Sequence, residues 1–156
     1  MNEANSLNNV AEFHRTFKHP IEPKAVIPTA ERCKLRVSLL AEELKELEEA
    51  IKDNNLTEVA DALCDLQYVL SGAILEFGLG QKFGELFAEV HHSNMSKACV
   101  SAKEAEETIA YYKQKDGTEA YFIESGGKFL VYRKADNKTL KSINYEPANL
   151  KAIVER

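Results

Sequence analysis

The sequence predicts an all-α fold, an antiparallel helical bundle with a small β-hairpin appendage in the C-terminal third. Two long segments carry apolar residues at helical spacing, one with an N-cap at Thr29 and an end near Asp53, the other over residues 58–78. The turn Asn54-Asn55 between them is so short that the two helices should run antiparallel. β-Formers on both sides of Ser125-Gly126-Gly127 indicate the hairpin.

The remaining elements can be assigned in chain order. A short amphipathic helix is predicted over residues 6–17, and three prolines then make an extended connector before Thr29. Asn55 is expected to cap the third helix and Gly78 to end it. Later elements are a fourth helix built on Phe83, Phe87 and Val90, a polar helix over residues 103–115 that buries Ile109 and Tyr112, a turn at residues 136–138, and a terminal helix from Pro147 through Val154. The expected core stripes are Val37, Leu40, Leu44, Leu47 and Ile51 in the second helix, and Val59, Leu63, Leu66, Leu70, Ala73 and Phe77 in the third.

Composition and charge narrow the class of protein. A chain of 156 residues with 44% hydrophobic content suits one domain, with residues 1–100 as the helical core and 101–156 as an extension packed on it. A net charge of −5 argues against a surface that binds nucleic acid by neutralising phosphates. The three unpaired cysteines, Cys33, Cys64 and Cys99, are expected to be reduced thiols, and neither a leader nor a membrane span is recognisable. We therefore expect a cytoplasmic protein.

Six carboxylates on the two long helices are predicted to face one another. At about 100° per residue, the acidic residues of the third helix share one face, and those of the second helix lie on one side of its apolar stripe. Carboxylates that meet between two helices suit a hard cation, Mg²⁺ or Mn²⁺, better than zinc. The residues are Glu42, Glu43 and Glu46 on the second helix and Glu58, Asp61 and Asp65 on the third.

Two simpler interpretations compete with a cation site. An E-rich helix is most often a solvated face with ion pairs such as Glu48 with Lys52, and this explains Glu48 and Glu49. Carboxylates in a first helical turn also suit the helix dipole, which covers Glu58 and at most Asp61. Neither interpretation covers Asp65.

Three motifs resemble one enzyme superfamily. They are E-E-x-x-E at residues 42–46, E-x-x-D at 58–61 followed by D-L-x-Y-V-x-x-G at 65–72, and E-V-H-x-S-N-x-S-K at 89–97. Together they are similar to the all-α nucleoside triphosphate pyrophosphohydrolases, which include MazG, the dimeric dUTPases and phosphoribosyl-ATP pyrophosphohydrolase. Weaker similarity extends to residues 12–15 and 145–153.

The resemblance implies a helical bundle of the MazG-like type that cleaves between the α- and β-phosphates and releases a nucleoside monophosphate and pyrophosphate. It implies that Glu42 is the carboxylate nearest the attacking water. It also implies that the metal ligands are Glu43, Glu46, Asp65 and either Glu58 or Asp61. This choice arises because many relatives have a glutamate at the position of Ala62.

Four further residues are candidate substrate ligands. Lys97 supplies a cation for the leaving pyrophosphate and Asn94 a donor to phosphate or sugar, although both residue types are also common at helix ends. His91 is a candidate for substrate contact rather than metal ligation. His14 is expected to face the core, with nucleobase contact as the alternative.

The leading functional hypothesis is a Mg²⁺-dependent pyrophosphohydrolase of (deoxy)nucleoside triphosphates, of the dUTPase-like house-cleaning kind. Alternatives are a phosphoribosyl-ATP pyrophosphohydrolase and a helical module that binds a nucleotide or a metal ion without turnover. Exposed apolar faces on so thin a bundle favour a homodimer or a higher homo-oligomer. Residues 101–144 are expected either to cover the site or to contact another subunit.

Overall fold

The structure is a computed structural model that describes residues 4–156. Over these residues it contains six helices and one two-stranded antiparallel sheet, which confirms the predicted all-α fold with a late hairpin. The first three residues of the stretch searched for a leader lie outside this range. The elements are α1 (Ser6–Phe17), α2 (Ala30–Lys52), α3 (Leu56–Glu76), α4 (Phe83–Met95), α5 (Ala102–Asp116), β1 (Ala120–Ser125), β2 (Lys128–Arg133) and α6 (Leu150–Val154).

The chain divides into two compact units. The N-terminal unit ends at Phe83 and contains α1 to α3, and the C-terminal unit comprises Gly84–Val154. The assignment of a core to residues 1–100 and of an extension to residues 101–156 stays a prediction.

Helices α2 and α3 form the predicted antiparallel hairpin. The Thr29 side chain accepts a hydrogen bond from the Arg32 N–H at the start of α2, and the Asn55 side chain accepts one from the Glu58 N–H at the start of α3. Arg32, in the first turn of α2, hydrogen-bonds Glu76, the last residue of α3, which fixes the antiparallel direction. Gly78 follows α3 with φ +67°, where a Cβ would lie 1.8 Å from the Lys24 carbonyl oxygen.

The predicted core stripes of this hairpin are only partly buried, which corrects the expectation from periodicity. In α2, Val37, Leu44 and Ile51 are 67%, 59% and 60% exposed, while in α3 Leu63 and Leu70 are also exposed. Helix α1 packs on α3, and one short helix cannot cover both sides of a hairpin of this length. The remaining stripe residues are buried or half-buried: Leu40, Leu47, Val59, Leu66, Ala73 and Phe77.

The C-terminal unit has its own small core. Strands β1 and β2 are joined by Gly126 and Gly127, whose φ values of +57° and +74° allow the tight turn that the sequence predicted. The hairpin packs against α5, where Ile109 and Tyr112 are half-buried as expected and Ala105 and Thr108 are completely buried. The core residues are Cys99, Ala105, Ala120, Val131 and Leu140.

The fourth helix is present as predicted, and the start of the last helix differs. Helix α4 buries Leu86 and Ser93, whereas Phe87 is 64% exposed, and the Ser93 hydroxyl lies 2.9 Å from the Tyr145 hydroxyl. Helix α6 begins at Leu150 rather than at Pro147, since the Asn149 side chain accepts a hydrogen bond from the Ala152 N–H and caps it. The three cysteines are free, and no described helix has the length and apolar character to cross a membrane.

Candidate functional site

The predicted acidic residues lie near the middle of the α2–α3 hairpin. Glu42 and Glu43 are adjacent on α2 with Glu46 about one turn further, and Asp61 and Asp65 stand one turn apart on α3. Glu43 is half-buried and the other four are exposed. Because the helices run antiparallel, the middle of one faces the middle of the other.

The charges of four carboxylates act on Glu43. Partial burial raises the pKa of Glu43, and the negative charges of four neighbours raise it further. The neighbours are Glu46 and Glu42 on its own helix and Asp65 and Asp61 on α3. The basic residue within this run, Lys45, pairs with Glu49 at 3.5 Å. We call Glu42, Glu43, Glu46, Asp61 and Asp65 the acidic group.

The two candidates for the ligand absent at Ala62 have different surroundings. Ala62 is buried, with 4% of its surface exposed, and Asp61 is the adjacent carboxylate. Among the described residues, the four carboxylates that raise the pKa of Glu43 include Asp61 and not Glu58. Glu58 is exposed in the first turn of α3, where a carboxylate suits the helix dipole.

The chemistry of the acidic group fits a hard divalent cation. All five donors are carboxylates, the ligand type that Mg²⁺ and Mn²⁺ prefer. Over residues 4–156, no three His, Cys, Asp or Glu side chains stand in an arrangement that could hold a metal ion. Four of the five are exposed, so their carboxylates can turn toward a cation without disturbing the packing.

Another carboxylate of the N-terminal unit is buried and paired with positive charges. Glu76 is 1% exposed and accepts hydrogen bonds from the guanidinium groups of Arg32 and Arg36. Burial alone raises the pKa of Glu76, but the hydrogen bonds and charges of the two arginines outweigh it, so the pKa lies below its usual range. Arg36 also lies 3.3 Å from the Nε2 atom of His14. We call Glu76, Arg32, Arg36 and His14 the buried network.

The buried network packs closely against a glycine of α3. A Cβ on Gly72 would lie 2.7 Å from the Arg36 Nη1 atom and 3.1 Å from the His14 Nε2 atom, so a larger residue would force these side chains to shift. His14 is buried as predicted, with its Nδ1 atom 2.8 Å from the Pro20 carbonyl oxygen. Burial lowers the pKa of His14, and the nearby Arg36 charge lowers it further, so the ring is neutral at pH 7.

A cavity of about 230 Å³ adjoins the buried network. The Phe13 and His19 rings stack with centroids 5.7 Å apart, and Tyr68 meets Phe13 edge to face at 5.6 Å. The Nε atom of Arg36 is buried and has no hydrogen-bond partner in the described part of the chain. The lining residues are Val10, Phe13, His14, His19, Arg32, Leu35, Arg36, Leu39, Tyr68 and Val69.

The other predicted ligands belong to the C-terminal unit. Asn94 accepts a hydrogen bond from the Lys97 ammonium at 2.7 Å, so these two residues lie together as expected. His91 is exposed on α4, and its neighbour His92 lies 3.9 Å from Glu146. The roles of Asn94, Lys97 and His91 in substrate binding stay predictions.

Arg32, Arg36 and Glu76 were missed in the sequence. A signal existed, because the two arginines are one helical turn apart and Glu76 ends the most apolar part of α3. Their partners are 40 and 44 residues away along the chain, however, and helical periodicity carries no information at that range.

Comparisons with known proteins agree with the geometry. The sequence profile described as phosphoribosyl-ATP pyrophosphohydrolase matches residues 10–94, more than half of the chain. A similar protein is an uncharacterized protein of Acanthamoeba polyphaga mimivirus, which is 24% identical over 98% of this chain and 97% of that protein. The matched segment contains the acidic group, the buried network and the cavity. The chain therefore belongs to the phosphoribosyl-ATP pyrophosphohydrolase family, and with it to the MazG-like superfamily of nucleotide pyrophosphohydrolases.

Proposed function

We propose that the protein is a nucleotide pyrophosphohydrolase that requires Mg²⁺ or Mn²⁺ and cleaves a (deoxy)nucleoside triphosphate into a nucleoside monophosphate and pyrophosphate. The family supports the reaction class and is generally dependent on divalent metals. One observation carries the metal dependence: Glu43 has four like-charged neighbours drawn from two helices. A divalent cation relieves this repulsion, and the fold provides the carboxylates without a basic partner for Glu43.

The five carboxylates divide into two roles. Glu43, Glu46, Asp61 and Asp65 hold the cation, and Asp61 takes the place of the ligand absent at Ala62. When bound, the cation neutralises negative charge on the triphosphate. Glu42 is exposed and accepts a proton from the water that attacks phosphorus in line.

The aromatic cavity is the proposed site for the base or sugar. At about 230 Å³ it is smaller than the roughly 300–1,000 Å³ of sites that enclose whole ligands, so it accepts one part of a nucleotide. Phe13, His19 and Tyr68 offer ring surfaces, while the unpartnered Arg36 Nε atom offers a donor. His14 lines this cavity, which supports nucleobase contact as its alternative role.

The exposed apolar side of the hairpin supports a homodimer. Val37, Leu44 and Ile51 follow one another at seven-residue intervals on α2, each more than half exposed. A continuous apolar stripe of this kind is the usual mark of a protein contact, and a second copy offers an identical stripe. Sedimentation should show a dimer for the wild type and a monomer for the double variant Leu44→Lys, Ile51→Lys.

The function is tested by incubating the protein with a panel of common and damaged nucleoside triphosphates and Mg²⁺ or Mn²⁺. Release of pyrophosphate, with no orthophosphate, is expected, together with its loss in Glu43→Ala. Glu48→Ala is the matched control, because Glu48 lies on the same helix and pairs with the exposed Lys52 at 2.9 Å. No hydrolysis of any triphosphate, with tight nucleotide binding in calorimetry, would instead identify a binding module.

The family match favours a second candidate, a phosphoribosyl-ATP pyrophosphohydrolase. The same carboxylates would serve, since the bond that is cleaved is of the same type. Activity on phosphoribosyl-ATP with none on free triphosphates would select this candidate. Activity on free triphosphates with none on phosphoribosyl-ATP would select the nucleoside triphosphate pyrophosphohydrolase.

A further inference from the structure

Lys97 and Lys141, with Asn94 and Tyr145, form a basic cluster where two segments of the C-terminal unit meet. The Ser142 N–H donates to the Lys97 carbonyl oxygen at 3.1 Å, and the Glu146 N–H donates to the Ser96 hydroxyl at 3.0 Å. The segment after β2 is thereby fixed along the end of α4. These bonds bring Lys141 and Tyr145 to the predicted ligands Asn94 and Lys97.

The polar groups of this cluster point to an anion. The Lys141 Nζ atom lies 4.1 Å from the centre of the Tyr145 ring, and the Tyr145 hydroxyl is held by Ser93. The Ser93 hydrogen bond lowers the pKa of Tyr145, and the charges of Lys141 and Lys97 lower it further, so both ammonium groups act on one phenol. Because the Asn94 carbonyl oxygen accepts from Lys97, the Asn94 amide N–H groups are left to donate.

The nearby carboxylates do not neutralise the two lysines. Glu104 is buried, with one oxygen on the Ser142 hydroxyl and the other on the Val100 N–H at 3.0 Å. Glu146 lies 3.9 Å from His92. Within residues 4–156, the Lys97 ammonium donates to the Asn94 side chain and the Lys141 ammonium lies over the Tyr145 ring.

We propose that Lys97, Lys141, Tyr145 and Asn94 form a binding site for a pyrophosphoryl group, in which Lys141 and Tyr145 add to the two residues of the E-V-H-x-S-N-x-S-K run. Two ammonium groups, a phenol and an amide match the charge and the several acceptor oxygens of a diphosphate. The proposal rests on the proposed function only in taking this group to be the pyrophosphate part of the nucleotide or the released product.

The test is calorimetric titration of the full chain with inorganic pyrophosphate in EDTA, so that no metal ion bridges it to the acidic group. Lys141→Ala and Lys97→Ala should each weaken binding about tenfold, or about 1.4 kcal/mol. Lys141→Arg should restore most of it. Lys103→Ala is the matched control, because Lys103 is an exposed lysine of the same unit that lies 3.8 Å from Glu107.

Tyr145→Phe separates binding from structure. It keeps the ring under Lys141 and removes the hydroxyl, so it should weaken pyrophosphate several-fold; Ser93→Ala breaks the same hydrogen bond but keeps the phenol, so it should lower the thermal midpoint without that loss of binding. The proposal is overturned if the wild type does not bind pyrophosphate, or if Lys141→Ala binds it as tightly as Lys103→Ala. Pyrophosphate binding that depends on Lys141 in a protein that hydrolyses no nucleotide would uphold this site and refute the proposed function.

Discussion

Two carboxylates of the same helical hairpin have opposite environments. Glu76 is completely buried, and Arg32 and Arg36 together lower its pKa. Glu43 is half-buried, which raises its pKa, and four neighbouring carboxylates raise it further. Both residues lie where α2 and α3 face each other, so the difference arises from their partners.

The difference indicates which acid serves the fold and which serves a ligand. A buried charge requires an opposite charge, and the fold supplies Glu76 with two. Within residues 4–156, the charges that shift the pKa of Glu43 are all negative, an arrangement that costs stability, and we propose that an external cation offsets this cost. Neutralising each carboxylate should therefore have opposite consequences for stability and for activity.

The largest effect is expected from Glu42→Gln in the acidic group. The amide cannot accept a proton from water, so kcat/KM for the triphosphate should fall by about 10²–10⁴-fold. Thermal stability and Mg²⁺ affinity should hardly change, because Glu42 is exposed and lies outside the proposed ligand set. Activity within threefold of Glu48→Gln would remove Glu42 from the mechanism.

The next largest effect is expected in the buried network. Glu76→Ala leaves Arg32 and Arg36 without their buried partner and should lower the free energy of unfolding by about 3–5 kcal/mol, measured by urea denaturation. The control Glu12→Ala, at an exposed residue of α1, should stay within about 0.5 kcal/mol of the wild type. A loss of less than 1 kcal/mol for Glu76→Ala would contradict the claim that the fold depends on pairing Glu76 with the two arginines.

A smaller effect distinguishes the two acids at the start of α3. Asp61→Asn should weaken Mg²⁺ about tenfold or more, corresponding to about 1.4 kcal/mol, whereas Glu58→Gln should not. Adding Ala62→Glu to Asp61→Asn should recover affinity, because it restores a carboxylate at the position that relatives use. Equal losses for Asp61→Asn and Glu58→Gln in calorimetry would contradict the choice of Asp61.

The smallest effect is on pH dependence. The pKa of His14 is below its ordinary 6.5 in the folded protein. As the pH falls, the unfolded chain therefore protonates this histidine before the folded protein does, and the free energy of unfolding decreases below pH 6.5. One such group contributes at most about 1.4 kcal/mol per pH unit. His14→Gln should flatten unfolding free energy between pH 7.5 and 5.5, and the exposed His92→Gln should not. Glu76 adds to the loss only at lower pH, as it protonates.

Local signals in the sequence predicted most of the hairpin. The caps Thr29 and Asn55, the stop at Gly78 and the Gly126-Gly127 turn depend on neighbouring residues alone, and the structure confirms all four. Helical spacing also anticipated that carboxylates of both helices lie near Glu43, since Asp61 and Asp65 of α3 raise its pKa; their role as a site stays a prediction.

The remaining features depend on tertiary contacts. Periodicity identifies an apolar stripe but not whether another element covers it, which is why Val37 and Leu44 are exposed against expectation. In α4, the buried Ser93 bonds to Tyr145, 52 residues away along the chain, a contact that helical spacing does not show. The buried network is likewise a long-range arrangement that no local pattern specifies.

The most direct test of the central claim is the free energy of unfolding of the wild type and Glu43→Gln, with and without Mg²⁺. Without metal, Glu43→Gln should be more stable than the wild type, since it removes repulsion; with Mg²⁺ at 100 times its Kd, the wild type should gain about 2.7 kcal/mol and the variant much less. Glu48→Gln should behave as the wild type in both conditions. If Glu43→Gln is less stable without metal and gains as much from Mg²⁺ as the wild type, the acidic group is not a cation site.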